Sequence, residues 1–301
     1  MTLAGLYVPL VTPFTADGAL AADALEGLAR SALTEGATGL VALGTTAEAA
    51  TLTAVERALV VEICARVCRE LNGQLIVGAG SNSTAASIEA VAALSPQITA
   101  ALTVVPYYTR PSEAGVLAHF QALAATSPVP LVIYNIPYRT GRILGAETLR
   151  QLAEHPNIVG VKHAVGSIDD ATIELMATRP ADFAVLAGDD LYLSPLLALG
   201  AAGGILASST LVTGSFAALI DAWHHGRIDE ARALGHRLAG LSAALFAEPN
   251  PTVIKAVLAA QGRIPSPAVR LPLLPASEAT TIAALSALAN SSAELSEKLL
   301  V

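Results

Sequence analysis

The stretch Ile158-Val159-Gly160-Val161-Lys162 is rich in β-branched residues and ends on a single lysine. It lacks polar alternation, which is typical of a strand buried on both faces in a parallel sheet covered by helices. At the carboxyl end of such a strand, Lys162 is expected at a barrel mouth or sheet crevice. Desolvation there favours the neutral amine, which can attack a carbonyl carbon. The alternative is a lysine whose charged amine simply extends into solvent at the end of the strand. The stretch alone favours this alternative, so the rest of the chain must decide.

Strand-like and helix-like patterns alternate on both sides of this stretch. The predicted strands are residues 6–11, 38–43, 74–79, 99–105, 130–134, 158–162, 183–187 and 203–207. A helical pattern follows each of them, which gives about eight strand–helix units. Strict alternation over this length predicts an α/β protein with a (β/α)8 TIM barrel. A doubly wound sheet is disfavoured because no Gly-x-Gly-x-x-Gly turn follows the first strand.

Only helical patterns remain after the eighth strand. They cover residues 213–225, 228–245, 252–260 and 277–289. The first would close the barrel, and the others would form a helical C-terminal appendage. We therefore assign residues 1–225 to the barrel domain and residues 226–301 to a C-terminal helical region. Earlier in the chain, the helix predicted over residues 54–71 has a distinct start, because Thr53 and Glu56 match a capping box.

Composition excludes several classes of protein. The 301 residues are 53% hydrophobic, yet no uninterrupted apolar run approaches the ~18 residues of a membrane span. A basic segment followed by an apolar one is missing from the N-terminus, so we expect a cytoplasmic enzyme. The net charge of −8 and the lack of a Lys/Arg cluster argue against nucleic-acid binding. Cys64 and Cys68 have no further ligands at zinc spacing and are expected to be buried thiols.

Polar side chains follow the carboxyl ends of several predicted strands, where a TIM barrel has its active site. They are Gly44-Thr45-Thr46, Tyr107-Tyr108, Tyr134-Asn135, Arg139, Lys162 and Gly188-Asp189-Asp190. Each has an ordinary explanation, such as a turn, a core tyrosine, a solvated loop charge or a helix cap. Together, at one end of a barrel, they suit a site that handles the carbonyl group of a carboxylate substrate.

The chemistry of these groups suggests a division of labour. Lys162 can attack a ketone and form an imine, whose protonated form is an electron sink for carbon–carbon bond chemistry. The consecutive threonines can offer hydroxyl and backbone N–H groups to a carboxylate beside that ketone. The phenol of Tyr134 can transfer protons, and Arg139 can bind a second carboxylate through two hydrogen bonds.

At these positions the sequence resembles the dihydrodipicolinate synthase / N-acetylneuraminate lyase family of lysine-dependent pyruvate aldolases. The matching motifs are Gly44-Thr45-Thr46-x-Glu48, Val105-Pro106-Tyr107-Tyr108, Tyr134-Asn135-Ile136-Pro137-x-Arg139-Thr140-Gly141 and Gly160-Val161-Lys162. The resemblance extends over nearly the whole chain, from Leu6 to Leu273. It implies a barrel, usually a homotetramer built as a dimer of dimers, that needs neither a metal nor an organic cofactor.

The resemblance also implies roles for individual residues. Lys162 would form the Schiff base, with Tyr134 as the adjacent proton-transfer phenol and Thr45 as the relay hydroxyl. Tyr108 would complete the relay from the neighbouring subunit. The substrate-binding positions would be Thr46, which holds the pyruvate carboxylate, Arg139, Gly188 and Ile205.

Within the family, Arg139 is similar to the arginine with which the synthase branch binds the carboxylate of aspartate semialdehyde. Glu248-Pro249-Asn250-Pro251 and Lys255 resemble the same branch. The leading hypothesis is therefore condensation of pyruvate with aspartate semialdehyde in lysine and diaminopimelate biosynthesis. One alternative is another pyruvate aldolase that acts on a 2-keto-3-deoxy sugar acid, sialic acid or hydroxy-oxo acid. A non-catalytic barrel with a binding role is the other, and the complete imine-forming set argues against it.

The sequence departs from the family pattern at three places. Ala47 replaces the usual glycine after the threonines, and His163-Ala164-Val165 replaces an acidic residue, alanine and threonine. Both changes are expected near the substrate and therefore bear on its identity. The third place is the regulatory site, where the resemblance puts Ala54, Arg57 and Ala86 in positions that lysine-inhibited members fill with histidines and a glutamate. This predicts weak or absent inhibition by lysine.

Overall fold

The computed structural model of the chain describes residues 3–297. Eight parallel strands close into a barrel, in which each strand pairs with the next and the eighth pairs with the first. The strands are β1 (Gly5–Pro9), β2 (Gly39–Ala42), β3 (Gln74–Gly78), β4 (Ala100–Val104), β5 (Leu131–Asn135), β6 (Ile158–His163), β7 (Ala184–Ala187) and β8 (Gly203–Ile205). The predicted TIM barrel is confirmed.

Helices connect the strands and continue beyond the barrel. They are α1 (Ala22–Thr34), α2 (Ala54–Glu70), α3 (Thr84–Ala92), α4 (Glu113–Thr126), α5 (Pro137–Thr140), α6 (Ala146–Ala153), α7 (Asp170–Thr178), α8 (Leu193–Ala198), α9 (Thr213–His224), α10 (Ile228–Leu245), α11 (Thr252–Ala260) and α12 (Glu278–Glu297). The capping box that Thr53 and Glu56 form at the start of α2 is confirmed. Helix α7 begins at Asp170 because the side chain of Asp169 caps it by accepting a hydrogen bond from the Thr172 N–H at 2.8 Å.

The core has two layers, one inside the barrel and one between the barrel and its helices. Alternate strand residues such as Tyr7, Val132 and Leu186 fill the barrel interior. Their neighbours along the strands pack outward against the helices, as Val161 does. Because both faces of the sheet are buried, the strand sequences are continuous apolar runs without polar alternation. Cys64 is one of two free thiols that are buried in the outer layer, as predicted.

The C-terminal helices extend the barrel at the end where the strands finish. Helix α10 packs against α9 and α12, and it also contacts the 3-10 turn of residues 190–192 that follows β7. The boundary between residues 1–225 and 226–301 stays a prediction, and residues 298–301 lie outside the described part of the chain. Within residues 3–297, no helix combines the length and apolar character needed to cross a membrane.

Candidate active site

A cavity of about 360 Å³ opens where the carboxyl ends of the strands meet. Seven of the eight site residues predicted from the sequence line it: Lys162, Tyr134, Thr45, Thr46, Arg139, Gly188 and Ile205. They come from the ends of five strands or the loops after them, and helix α10 supplies a further wall. The barrel therefore brings together residues that lie as much as 160 positions apart, from Thr45 to Ile205.

Lys162 and Tyr134 form the centre of the cavity wall. They are paired directly across β5 and β6, and both side chains point into the barrel because alternate strand residues share a face. The Lys162 Nζ lies 4.3 Å from the centroid of the Tyr134 ring. Lys162 is only 7% exposed, so its amine faces the cavity and not open solvent. A buried amine beside a phenol is a suitable pair for attack on a carbonyl group with local proton transfer.

Gly188 leaves the space through which the Lys162 side chain passes. A Cβ atom at this position would lie 2.6 Å from Lys162 Cγ and 2.9 Å from Lys162 Cε. Any side chain here would therefore displace the lysine stem. Gly188 thus has a structural role in addition to lining the cavity.

The loop after β2 presents two threonines to the cavity. Residues Thr45–Ala47 form a 3-10 turn, and the first N–H groups of such a turn have no partner inside it. Asn250 Nδ2 donates a hydrogen bond to Thr46 Oγ1 at 3.0 Å. Because Thr46 Oγ1 accepts this bond, its own hydrogen remains available for a substrate oxygen. The turn can therefore bind a carboxylate through backbone and hydroxyl donors together.

Arg139 lies at the rim of the cavity on the short helix α5. Its guanidinium carbon stacks 4.8 Å from the centroid of the Tyr138 ring, and both side chains are exposed. Among the described residues it has no carboxylate partner, whereas several other arginines, such as Arg150 and Arg270, form ion pairs with a glutamate. An unpaired, stacked guanidinium at the entrance is placed to bind a carboxylate of an incoming substrate.

Asp189 and Asp190 extend the wall after β7 and have different environments. Asp190 is buried and accepts hydrogen bonds from the Ser208 N–H at 2.6 Å and the Ala207 N–H at 3.3 Å, which fixes the backbone after β8. Burial raises the pKa of Asp190 to about 6. It also raises the pKa of Asp189, while the nearby Lys162 charge lowers it in part. Asp190 is therefore a structural anchor beneath the site, a role that its sequence position did not reveal.

Tyr108 is the one predicted site residue that does not line this cavity. It is 88% exposed and has a φ of 68°, a left-handed conformation that is unusual for a residue with a side chain. The described residues therefore leave its hydroxyl outside the site of its own chain. Its predicted role in a neighbouring subunit's site stays a prediction.

Comparison with known proteins places this site in a family. The model of the dihydrodipicolinate synthetase family matches residues 2–290. The chain belongs to this family. It is 44% identical over 275 residues to a 4-hydroxy-tetrahydrodipicolinate synthase of Thermosynechococcus vestitus, with 90% of this chain and 91% of the relative covered.

Solved structures of dihydrodipicolinate synthetase family members have the same architecture. The 4-hydroxy-tetrahydrodipicolinate synthase of Methylacidiphilum fumariolicum superposes with a TM-score of 0.93 at 33% identity, covering 98% of both chains. The chloride-inhibited dihydrodipicolinate synthase of Acinetobacter baumannii, solved with pyruvate, gives a TM-score of 0.92 at 34% identity and covers 96% of this chain and 99% of its own. The predicted family, fold and enzyme class, a carbon–carbon lyase, are thereby confirmed.

The two departures from the family motif adjoin residues that line the cavity, but their changed side chains are not part of its lining. Ala47 is the buried last residue of the turn, and its carbonyl accepts a hydrogen bond from Thr12 Oγ1 at 2.7 Å. His163 follows Lys162 in β6 and therefore points out of the barrel, toward α7. Of these positions only Ala164, which the family pattern shares, lines the cavity, so none of the changed side chains forms part of the cavity wall.

Helix α10 and the segment after it supply cavity residues that the sequence did not indicate. Ser242, Ala243 and Phe246 line the wall opposite the strand ends, and Asn250 contacts Thr46. A helical pattern beyond the last strand does not show which side of the helix faces the barrel mouth. Asn250 belonged to a recognisable motif, but its contact with Thr46 spans 204 residues and depends on tertiary packing. Among residues 3–297, no three His, Cys, Asp or Glu side chains are grouped to hold a metal ion.

The protonation state of His163 follows from its neighbours. Thr172 Oγ1 donates to Asp169 Oδ1 at 2.7 Å, so the His163 Nε2, 2.9 Å from Thr172 Oγ1, must be the donor of that bond. The His163 Nδ1 is buried and has no partner among the described residues. Burial lowers the pKa of His163 to about 4, although the Asp169 charge raises it in part. The imidazole is therefore neutral in the folded protein near pH 7.

We predict that His163 makes the protein sensitive to acid. Its pKa in the folded state is below the value of 6.5 expected when unfolded, so the unfolded chain binds an extra proton between pH 6.5 and about 4. The free energy of unfolding should therefore fall on acidification through this window, by about 2–3 kcal/mol from this group. In the variant His163→Gln, the side-chain amide can replace the Nε2 donor but does not titrate. The part of the acid-induced fall in the free energy of unfolding that His163 causes should therefore disappear.

Urea unfolding at pH 7 and pH 4.5, at one protein concentration, measures the effect. Asp190 acts in the opposite direction, since its raised pKa favours proton binding by the folded state, but it is present in both proteins and cancels in the comparison. An equal loss of stability in the wild type and His163→Gln would contradict the prediction.

Proposed function

We propose that this protein is a 4-hydroxy-tetrahydrodipicolinate synthase, which condenses pyruvate with aspartate semialdehyde through an imine on Lys162. The observation that carries the proposal is the pairing of the buried Lys162 amine with Tyr134 in a cavity that also holds Thr46 and Arg139. The names of the relatives support the choice of substrates. The cavity has one group of donors for each of two carboxylates, which matches a keto acid and an acidic aldehyde.

Pyruvate binds first in this scheme. The Thr46 hydroxyl and the N–H groups at the start of the 3-10 turn hold its carboxylate. This places the ketone carbon near the Lys162 amine. The neutral amine attacks that carbon, and a proton moves from nitrogen to the former ketone oxygen to give a carbinolamine. Loss of water then gives the iminium ion, for which the Tyr134 phenol supplies the proton that the leaving hydroxide needs.

The second half of the reaction uses the iminium ion as an electron sink. Loss of a proton from the pyruvate methyl group gives an enamine, whose carbon attacks the aldehyde carbon of the acceptor. The new alkoxide takes up a proton, for which the Thr45 hydroxyl and the Tyr134 phenol provide the route. The acceptor's amino group then attacks the imine carbon, closes the ring and releases the Lys162 amine. One water molecule leaves overall, and the lysine returns to its initial state.

Trapping of the imine tests the proposal. The protein is incubated with pyruvate, reduced with borohydride and weighed intact. A gain of one reduced pyruvyl group that maps to the Lys162 peptide is expected, together with turnover of aspartate semialdehyde in a coupled assay. Failure to form the adduct would refute the imine mechanism. An adduct without turnover of aspartate semialdehyde, but with turnover of a 2-keto-3-deoxy sugar acid, would refute the proposed acceptor.

Arg139 should determine the affinity for the acceptor and not for pyruvate. In Arg139→Ala we expect the KM for aspartate semialdehyde to rise about 30-fold or more, because a charge-assisted carboxylate contact is lost. The KM for pyruvate and the trapped adduct should stay close to those of the wild type. Steady-state kinetics with each substrate varied in turn measure both values. Arg150→Ala, which removes an exposed arginine paired with Glu147 on α6, is the control and should change neither KM.

We also propose that the protein works as a homotetramer, a dimer of dimers, in which Tyr108 reaches the site of a neighbouring subunit. The support is its 88% exposure, together with the exposure of other large apolar side chains such as Tyr138 and Ile143. Sedimentation velocity at assay concentration should give a mass near four chains of 30.6 kDa each. A fully active monomer would contradict the proposal.

We also propose a cytoplasmic location, which suits an enzyme that condenses two small acidic metabolites. Fractionation of cells that express the tagged full chain tests the location. Recovery of the protein outside the cytoplasmic fraction would contradict it.

Lysine should inhibit the enzyme weakly or not at all. The positions that correspond to the regulatory site hold Ala54, Arg57 and Ala86, all of them exposed. Arg57 donates through Nε to the Ala49 carbonyl at 3.1 Å, which holds its positive charge within the group of positions that the resemblance assigns to the lysine ligand. Repulsion and the missing carboxylate both oppose that ligand. Initial rates at saturating substrates should therefore be unchanged by lysine at concentrations up to about 1 mM, a weak-binding limit, and half-inhibition at micromolar lysine would contradict this.

A further inference from the structure

An ion pair buried behind the cavity connects the threonine turn with the C-terminal helices. Glu48 directly follows the turn, and Lys255 lies in α11. The Lys255 Nζ is 2.7 Å from Glu48 Oε1, and the two side chains are 0% and 1% exposed. Neither residue lines the cavity. The proposed reaction uses neither of them, so their function is open.

The pair is well satisfied by its surroundings. Glu48 Oε2 accepts the Arg270 N–H at 2.8 Å, and Lys255 Nζ donates a second bond to the Thr12 carbonyl at 2.9 Å. The ammonium also lies 4.1 Å from the centroid of the Phe14 ring. A buried ion pair of this kind is weak evidence for stability, since well-packed apolar residues often serve as well or better. Its position next to the threonine turn indicates instead that it fixes the geometry of that turn.

The last two residues of the turn and the residue that follows it are held by contacts from outside the turn. Asn250 donates to Thr46 Oγ1 at 3.0 Å, and Thr12 Oγ1 donates to the Ala47 carbonyl at 2.7 Å. Lys255 holds Glu48, whose φ of 53° is a left-handed conformation that a residue with a side chain adopts only when its surroundings enforce it. The Glu48 N–H in turn donates to the Thr45 carbonyl at 3.1 Å.

The same lysine also reaches Thr12, so the contacts form one connected unit. Lys255 Nζ fixes the carbonyl of Thr12, and the hydroxyl of Thr12 fixes the carbonyl of Ala47. A shift of α11 would therefore move Glu48 and Thr12 together, and through Thr12 also the Ala47 carbonyl at the end of the turn. Every part of this unit is buried, so solvent cannot replace a lost contact.

We propose that the Glu48–Lys255 ion pair, with Thr12, is a positioning device that orients the Thr45–Thr46 turn for binding the pyruvate carboxylate. The proposal rests on the proposed function, because it assumes that pyruvate binds at this turn. It makes α11 a determinant of pyruvate affinity, although no α11 side chain touches the substrate. Lys255 and Glu48 are positioning residues in this scheme and not catalytic ones.

Substitution of Thr12 gives the sharpest test because it leaves the buried charges in place. Thr12→Val keeps the shape of the side chain but removes the bond to the Ala47 carbonyl, and we expect the KM for pyruvate to rise about fivefold, the value of one ordinary hydrogen bond. Thr12→Ser retains the hydroxyl and should stay within about twofold of the wild type. The KM for aspartate semialdehyde should be unchanged in both, because Arg139 is not connected to this unit.

Substitution of the ion pair extends the test. Lys255→Met leaves an unpaired buried carboxylate and should lower both the Tm and the affinity for pyruvate. The double variant Glu48→Gln/Lys255→Met carries no buried charge, so its Tm should recover while the KM for pyruvate stays raised. Val67→Ala in the core of α2 is the control for destabilisation alone. It should lower the Tm and leave the KM unchanged.

The outcomes separate this inference from the proposed function. A wild-type protein that forms no borohydride-trapped adduct with pyruvate refutes the proposed function and this inference with it. A wild type that forms the adduct, together with a Thr12→Val variant whose KM for pyruvate is that of the wild type, overturns only the positioning role. An equal rise of the KM in Val67→Ala would also overturn it, because general destabilisation would then explain the effect. If Lys255→Met does not fold, the comparison of Thr12→Val with Thr12→Ser decides alone.

Discussion

Lys162→Ala protein, treated with pyruvate and borohydride, is expected to keep its untreated mass, and its turnover should fall on the order of 10⁴–10⁶-fold. The reason is that Lys162 is the one amine among the described residues that line the cavity. Without the imine, the pyruvate methyl group keeps its proton because no electron sink is present. Intact mass spectrometry measures the first effect and the coupled assay the second.

The composition makes this experiment unusually easy to interpret. The chain contains three lysines, Lys162, Lys255 and Lys298, beside 14 arginines. Lys255 is fully buried in its ion pair, and Lys298 lies outside the described residues. Besides Lys162, only Lys298 and the N-terminal amine therefore remain to be examined as sources of an adduct.

Two further variants act as controls for the charge and for the site of labelling. Lys162→Arg keeps a positive charge but cannot form an imine, so it should be as inactive as Lys162→Ala. Lys298→Arg should form the adduct and turn over substrate like the wild type. An adduct that persists in Lys162→Ala, or activity in Lys162→Arg above a thousandth of the wild type, would contradict the role of Lys162.

The sequence was informative wherever structure depends on neighbouring residues. The strand and helix patterns predicted the barrel because each βα unit is a local pattern that repeats along the chain. The capping box at Thr53 likewise depends on residues three positions apart. The position of Lys162 followed from the rule that strand ends converge at one mouth, and its amine does face the cavity there.

The orientation of His163 was predictable from the same rules but was not predicted. Adjacent residues of a strand point to opposite faces, so a lysine that faces the cavity places the next residue against the helices. The substitution at His163 therefore could not touch the substrate directly. The actual partner, Thr172, lies nine positions away across a loop and required the fold to identify.

The contributions of the C-terminal region could not be predicted from local patterns. The contact between Asn250 and Thr46 joins residues 204 positions apart, and that between Lys255 and Glu48 joins residues 207 positions apart. Whether such residues meet depends on how α10 and α11 pack across the barrel mouth. The sequence contained one indication, the isolated lysine in the apolar α11, since a charge within a buried helix needs a partner.

Tyr134→Phe is expected to lower kcat by about 10²–10⁴-fold while the protein still binds pyruvate. The substitution removes the phenol hydroxyl and retains the ring, whose centroid lies 4.3 Å from the Lys162 Nζ. The lysine side chain should therefore keep its position, and the Tm should change little. Formation of the imine needs a proton for the leaving hydroxide, so the adduct should form slowly but completely. Borohydride quenching at increasing times of incubation with pyruvate measures that rate.

Tyr7 provides a matched control for this substitution. Its ring also fills the barrel interior, and its hydroxyl donates to Gln74 Oε1 at 2.6 Å, at the opposite end of the barrel from the cavity. Tyr7→Phe should lose about 1 kcal/mol of stability and keep its rate of adduct formation. A loss of turnover common to both variants would mean that any change in the interior disturbs the site. A loss confined to Tyr134→Phe means that the hydroxyl beside Lys162 transfers the proton, because the two substitutions remove the same atom from the same layer of the core.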